Sequence, residues 1–156
     1  MQSSLRNESK LGQPVYEYRP QVVRVVEFGM SAAELFSPTT PLPAEGGRLD
    51  LHLEGPVTGP HFSGTLVGVD YLRFRADGRA DLHIHAQITT TAGDNLALEA
   101  GGVATPEAGT SLYQLREHVA LMSNHEALLW LNAVEIWATG VVDVSTGSVM
   151  VRGYAV

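Results

Sequence analysis

From Asp81 onward the chain alternates strictly, and that alternation limits its fold more than any other feature. Leu82, Ile84, Ala86 and Ile88 form one file, while Asp81, His83, His85, Gln87 and Thr89 form the other. A period of two over this length specifies a strand with one apolar and one polar face. Asp77-Gly78 before it and Ala92-Gly93-Asp94 after it carry turn chemistry. A second alternating run follows, with Leu96 and Leu98 against Asn95, Ala97 and Glu99. A three-residue loop at Ala92–Asp94 predicts a hairpin pairing Ile88 with Leu98 and Gln87 with Glu99. Glu99 then lies diagonal to His85 at roughly 7–8 Å.

The same habit recurs along the chain. Val22–Phe28 is β-branched and predicts the first long strand. Leu49, Leu51 and Leu53 alternate with Asp50, His52 and Glu54; shorter strands are expected at His61–Val67 and Tyr71–Arg75. Glu135–Val144 and Ser148–Val156 form a last hairpin around Ser145-Thr146-Gly147. Ser31 with Glu34 three residues on is a capping-box pattern and predicts one helical turn over Ser31–Phe36. Strands at this spacing, punctuated by turn residues, indicate an antiparallel barrel or sandwich. Ser111–Asn132 is the ambiguous stretch, because Leu112, Leu115, Val119 and Met122 recur near helical spacing.

Length makes this a single domain, residues 15–156, after a loose polar tail over 1–14. A chain of 156 residues buries roughly 70% of its unfolded surface, enough for a core without staples. There is no cysteine, so disulfides, thiolate metal sites and thiol nucleophiles are excluded. A net charge of −7 argues against nucleic acid and anionic membranes as partners. No apolar run approaches the ~20 residues of a spanning helix, and the N-terminus has no signal-like apolar stretch. A cytoplasmic protein is the default expectation, with monomer and homodimer both open.

Gly59-Pro60 with Gly64, Asp70-Tyr71, the Gly78–Gly102 hairpin, Trp130-Leu131-Asn132, Thr139-Gly140 and the closing Val151-Arg152-Gly153-Tyr154-Ala155-Val156 form a familiar series. In order and spacing, residues 22–156 resemble the DUF3237 family, also called UPF0311. The resemblance implies a small all-β protein: a closed antiparallel barrel of about eight or more strands, calycin-like or allene-oxide-cyclase-like, with one or two short helical turns. It implies that Tyr113–Leu121 is a strand and Glu126–Asn132 a short helix. It further implies a polar-lined cavity served by the central hairpin. His83, His85, Met122 and Glu135 stand where the family pattern carries other residue types, so this chain alters that lining.

Two readings of the polar file follow. A closed barrel has one main apolar interior, which the Leu82–Ile88 file would fill, leaving His83 and His85 in solvent. The resemblance instead turns that file into the lumen. On the lumenal reading His83, His85, Glu99 and Glu135 share acid–base roles, while Tyr71, Arg73, Gln87, Trp130 and Trp137 contact a bound molecule. His-x-His on a strand can also supply two metal ligands, but two histidines and one carboxylate make a marginal site, and no metal or other cofactor is expected. No P-loop, Rossmann glycine run, EF-hand loop or G-x-S-x-G occurs. The expectation is a cofactor-independent isomerase, cyclase, lyase or hydratase acting on a small, largely apolar molecule. A non-catalytic small-molecule-binding barrel is the alternative, and a histidine-based metal enzyme the third reading.

Overall fold

The computed structural model describes residues 12–156. Nine strands follow in chain order: β1 (Gln13–Tyr18), β2 (Gln21–Glu27), β3 (Gly47–Thr58), β4 (Gly64–Phe74), β5 (Ala80–Thr90), β6 (Asn95–Pro106), β7 (Leu112–Met122), β8 (Ile136–Asp143) and β9 (Ser148–Ala155). From β3 to β9 each strand pairs antiparallel with the next. β1 then joins both β9 and β3, closing an eight-strand barrel to which β2 is an addition.

β1 and β2 behave as one strand bent at Arg19-Pro20. Tyr18 pairs with Val57, the Arg19 amide donates to the Pro56 carbonyl, and Gln21 resumes opposite Glu54. β9, however, leaves this strand at Tyr18, whose partner is Val151. Past that point β2 keeps β3 on one edge only. The wall is therefore open between β2 and the β8–β9 hairpin.

The helical turn forms as its capping box requires. In α1 (Ala32–Leu35) the Ser31 hydroxyl accepts the Glu34 N–H at 3.1 Å, and the Glu34 carboxylate accepts the Ser31 N–H at 3.1 Å. Leu35 is buried and touches the space above Gly47, so α1 docks beside the opening. The opposite end is stoppered by a 3-10 helix, Glu126–Ala133. Its Leu128 and Leu131 are buried, and the Asn132 amide accepts the Ser123 N–H and donates to the Ser123 carbonyl.

Several expectations hold, and some need correction. Leu112–Met122 is a strand and Glu126–Ala133 a helix, as the family resemblance implies. The helical spacing of Leu112, Leu115 and Val119 misleads because Tyr113, Leu121 and an unexpected Glu117 complete a period-two file instead. His61–Val67 and Tyr71–Arg75 belong to one continuous strand, Gly64–Phe74, from which His61 is excluded. β1 has no counterpart among the strands that the alternation predicts. Of the tail over 1–14, residues 1–11 lie outside the described residues, while Gln13 and Pro14 begin β1.

The central hairpin is shifted by two residues from the expected register. Ile88 faces Leu96, Gln87 faces Ala97, and His85 stands directly opposite Glu99. The loop has three residues as expected, but they are Thr91–Gly93. The Thr90 N–H donates to the Asp94 carbonyl, closing the loop one residue earlier. Gly93 takes φ +90° at its third position, where a side chain would be strained. The Thr90 hydroxyl also accepts the Asp94 N–H.

Candidate active site

Along the strands of the closed barrel the apolar file points inward. One end of the barrel is solid, filled by Leu66, Ile88, Leu96, Leu98, Leu121 and Leu131, each no more than 3% exposed. The other end is hollow. A cavity of about 460 Å³ opens beside α1, with Val22, Ala33, Phe36 and Val149 among the residues lining it and Leu51, Leu72, Leu82, Ile84, Leu115 and Val151 along its walls. Chain position places Asp70 on β4 between Leu66 and Leu72, and Glu117 on β7 between Leu115 and Val119. Both therefore sit where the hollow meets the solid core, on the cavity floor with Tyr18.

Burial sets the chemistry of this floor. Glu117 is 2% exposed, and among the described residues neither carboxyl oxygen has a donor in full hydrogen-bonding geometry, the Tyr18 hydroxyl being the group that acts on it most directly. Burial, reinforced by the negative charge of Asp70, pushes its pKa up to about 8, with the Tyr18 hydroxyl nearby acting in the opposite sense. Asp70 is 5% exposed, and burial raises its pKa to about 6. The His83 backbone N–H, donated to an Asp70 oxygen at 3.0 Å, restrains that rise, while the negative charge of Asp50 adds to it. The asymmetry has a simple cause. Asp70 loses its proton while Glu117 is still neutral, and the resulting charge then keeps Glu117 protonated. Near pH 7 the floor thus holds a carboxylate and a carboxylic acid together.

Tyr18 completes the floor, with Tyr16 behind it. Tyr16 stacks on Tyr18 with centroids 5.6 Å apart, and both are buried. Burial and the charge of Glu117 raise both phenols well above the ordinary value, so they remain neutral donors. The ring of Tyr16 occupies space that only Gly153 leaves free, since a Cβ there would lie 2.5 Å from it. This explains the glycine within the closing V-R-G-Y run.

The residues expected to line the lumen lie on the outer wall instead. His83, His85, Gln87, Glu99, Arg73, Tyr71, Trp130, Glu135 and Trp137 are all solvent-exposed, Trp137 to 53%. The inward file Leu82, Ile84 and Ile88 fixes this, because a strand cannot present both of its files to one interior. The outward histidines are nonetheless organised. Their Nε2 atoms meet at 3.0 Å with the rings nearly parallel, and Tyr71 presents its ring edge-on to both at 6.1 and 6.2 Å. Glu99, Glu135 and His118 share a shallow groove with them. Trp130 packs edge-on against His61 at 4.9 Å, and the Gln87 amide donates to Thr89 and Asn95. Among the described residues no group of three or more His, Asp and Glu is arranged to hold a metal ion.

This placement gives a clean expectation. Replacing His83 or His85 by alanine should leave cavity binding of a neutral apolar dye unchanged and alter stability by less than about 0.5 kcal/mol. The backbone N–H of His83 still reaches Asp70 in the variant. A tenfold loss of dye binding, read by fluorescence titration, would return these residues to the cavity chemistry.

Asp70 and Glu117 do not stand out in the sequence, because each interrupts an apolar file rather than belonging to a polar one. The available signal is that interruption: one acid within an otherwise apolar alternation, as in Tyr113, Leu115, Glu117, Val119, Leu121.

The model for a family described as a protein of unknown function, DUF3237, matches residues 48–156. The chain belongs to the DUF3237 family. That span runs from β3 to the last residue and includes both floor carboxyls. No curated protein matches the sequence. Solved structures share the fold. A protein of unknown function from Clostridium acetobutylicum superposes with a TM-score of 0.75 at 17% identity, covering 92% of this chain and 94% of that one. A β-barrel-like protein from Acinetobacter baumannii gives 0.72 at 17%, covering 92% and 93%. An enzyme from Penicillium herquei gives 0.56 at 19%, covering 90% and 94%. This DUF3237 protein is thus a barrel of a recurrent kind.

Proposed function

We propose that the barrel is an acid–base enzyme that binds a small, largely apolar molecule in its cavity and relocates a proton on it. Isomerisation, cyclisation, and addition or loss of water all fall within that description. The observation that carries the reading is Glu117, buried to 2% exposure on the floor of a largely apolar chamber, with no donor among the described residues in full hydrogen-bonding geometry to its oxygens. A buried carboxyl so placed costs on the order of 1–3 kcal/mol or more, so its presence calls for a use. Glu117 serves as the proton donor and recovers the proton afterwards. Asp70 supplies the charge that keeps Glu117 loaded at neutral pH, and Tyr18 donates a hydrogen bond to the bound molecule. Aliphatic walls exclude water and hold the substrate by apolar contact. The Penicillium herquei protein is an enzyme on a similar barrel, which accords with catalytic use of the fold.

The test uses an extract of small apolar metabolites incubated with the wild type and with Glu117→Gln. Products isobaric with a precursor, or differing from it by one water, are expected with the wild type and are expected to fall at least a hundredfold in the variant. Binding of N-phenyl-1-naphthylamine in the cavity should persist in both. Dye binding without any conversion by the wild type would favour a carrier, and conversion unaffected by Glu117→Gln would remove Glu117 from the chemistry.

A further inference from the structure

The cavity's charge inventory is one-sided. None of the residues lining it is Lys, Arg or His. Its titratable groups are Tyr18 from β1, Asp70 from β4, and Tyr113 and Glu117 from β7, all acidic or neutral. Tyr16 stands behind Tyr18, and Asp50 adds further negative potential at Asp70. Among the described residues the Asp70 carboxylate accepts one backbone N–H, and the Glu117 oxygens accept no donor in full hydrogen-bonding geometry. A buried anion so thinly compensated creates a demand for a donor or a positive charge from whatever fills the cavity.

We infer that the ligand of this cavity is a lipophilic amine, bound as its ammonium ion with its nitrogen on the Asp70–Glu117 floor and its hydrocarbon part against the aliphatic walls. The inference rests on the cavity being the binding site, as proposed above, and adds the class of molecule. Anionic ligands are excluded by like charge in a low-dielectric chamber. Neutral ligands satisfy the hydrogen bonds of the floor but leave the Asp70 charge unmatched. An ammonium ion meets both needs, because its three donors reach the Asp70 carboxylate and the Glu117 oxygens at once. The loss of its hydration opposes binding, and the Asp70 charge is what offsets it.

The amine also changes the floor. By neutralising the field of Asp70, it removes one cause of the raised Glu117 pKa and favours release of the Glu117 proton. Ligand binding thereby makes Glu117 a readier proton donor than it is in the empty chamber. Asp70 becomes the counter-ion, while Glu117 keeps the proton-transfer role.

The experiment is calorimetric titration at pH 7 with three probes of one skeleton: 2-(1-naphthyl)ethylamine, 2-(1-naphthyl)ethanol and 3-(1-naphthyl)propanoate. The amine is expected to bind at least about tenfold more tightly than the alcohol, and the carboxylate not at all. Repeating the amine titration in buffers of different ionisation enthalpy should reveal proton release that the alcohol does not produce. In Asp70→Asn, which retains an acceptor for the His83 N–H, the amine advantage should shrink to within about twofold while the alcohol still binds. An alcohol that binds as tightly as the amine overturns the inference and leaves the cavity reading intact. Failure of all three probes overturns both. Tightest binding by the carboxylate overturns the inference alone.

Discussion

Glu117→Gln is expected to be more stable than the wild type in alkaline solution and equal to it in acid. The Glu117 pKa rises from an ordinary 4.5 to about 8 on folding. A group whose pKa is raised by folding contributes stability that is fully present below its unfolded value and lost as pH climbs through its folded value. The wild type should therefore weaken between about pH 4.5 and pH 8, by roughly 4–5 kcal/mol if the whole shift is expressed. For a chain of this length that is roughly 10–20 °C in Tm. Asp70 adds a smaller loss that is complete somewhat above pH 6 and remains in the variant. Glutamine has no proton to lose, so its curve lacks the Glu117 step. Carboxylates with lowered pKa, such as Glu17, Asp77 and Asp143, act in the acid range and cancel in the comparison. Thermal melts of both proteins from pH 5 to pH 9 measure the effect. Parallel curves would mean that Glu117 is hydrated or partnered in solution.

Phe74→Ala should cost about 3–5 kcal/mol, the usual range for removing a buried phenylalanine. Phe74 is 1% exposed and meets Phe36 edge to face at 5.1 Å, and Phe36 in turn meets Tyr113 at 5.6 Å. These three rings tie the segment after α1 to the barrel rim. Truncating Phe74 removes its own burial and one of the two aromatic contacts that hold Phe36. In urea the midpoint should fall with little change in slope. The dye N-phenyl-1-naphthylamine should also dissociate faster, since Phe36 lines the cavity. A loss below about 1.5 kcal/mol would show that the rim repacks around the gap.

The barrel was readable in the sequence because its information is local. Alternation, turn glycines and the Ser31–Glu34 cap act over a few residues, and the capping box and the loop length appeared as expected. Register was harder, since three-residue loops starting at Thr91 or Ala92 suit the same alternation, and the Thr90–Asp94 closure with Gly93 at φ +90° is what separates them. The site was the least legible part. His83 and His85 stood out as chemical groups, but which file faces inward is a property of the closed barrel. The apolar-core argument pointed outward, and it described the molecule better than the family resemblance did. Asp70 and Glu117 become meaningful only when β4 and β7, far apart in sequence, wall one chamber.

The closing seam between β1 and β9 gives that chamber an order of assembly. From β3 to β9 every ladder joins neighbours in sequence, so those hairpins can form with short loops. The pairing of Gln13 with Ala155 instead brings together opposite ends of the chain. That contact has the highest loop-closure entropy of the fold and is expected to form late. Until it does, β1 is held by β3 alone and the barrel wall beside the chamber is not closed. Ligand binding should therefore slow the reopening of this one ladder more than the fraying of any hairpin. Amide exchange along β1 and β9 would register an occupied chamber before any other part of the molecule does.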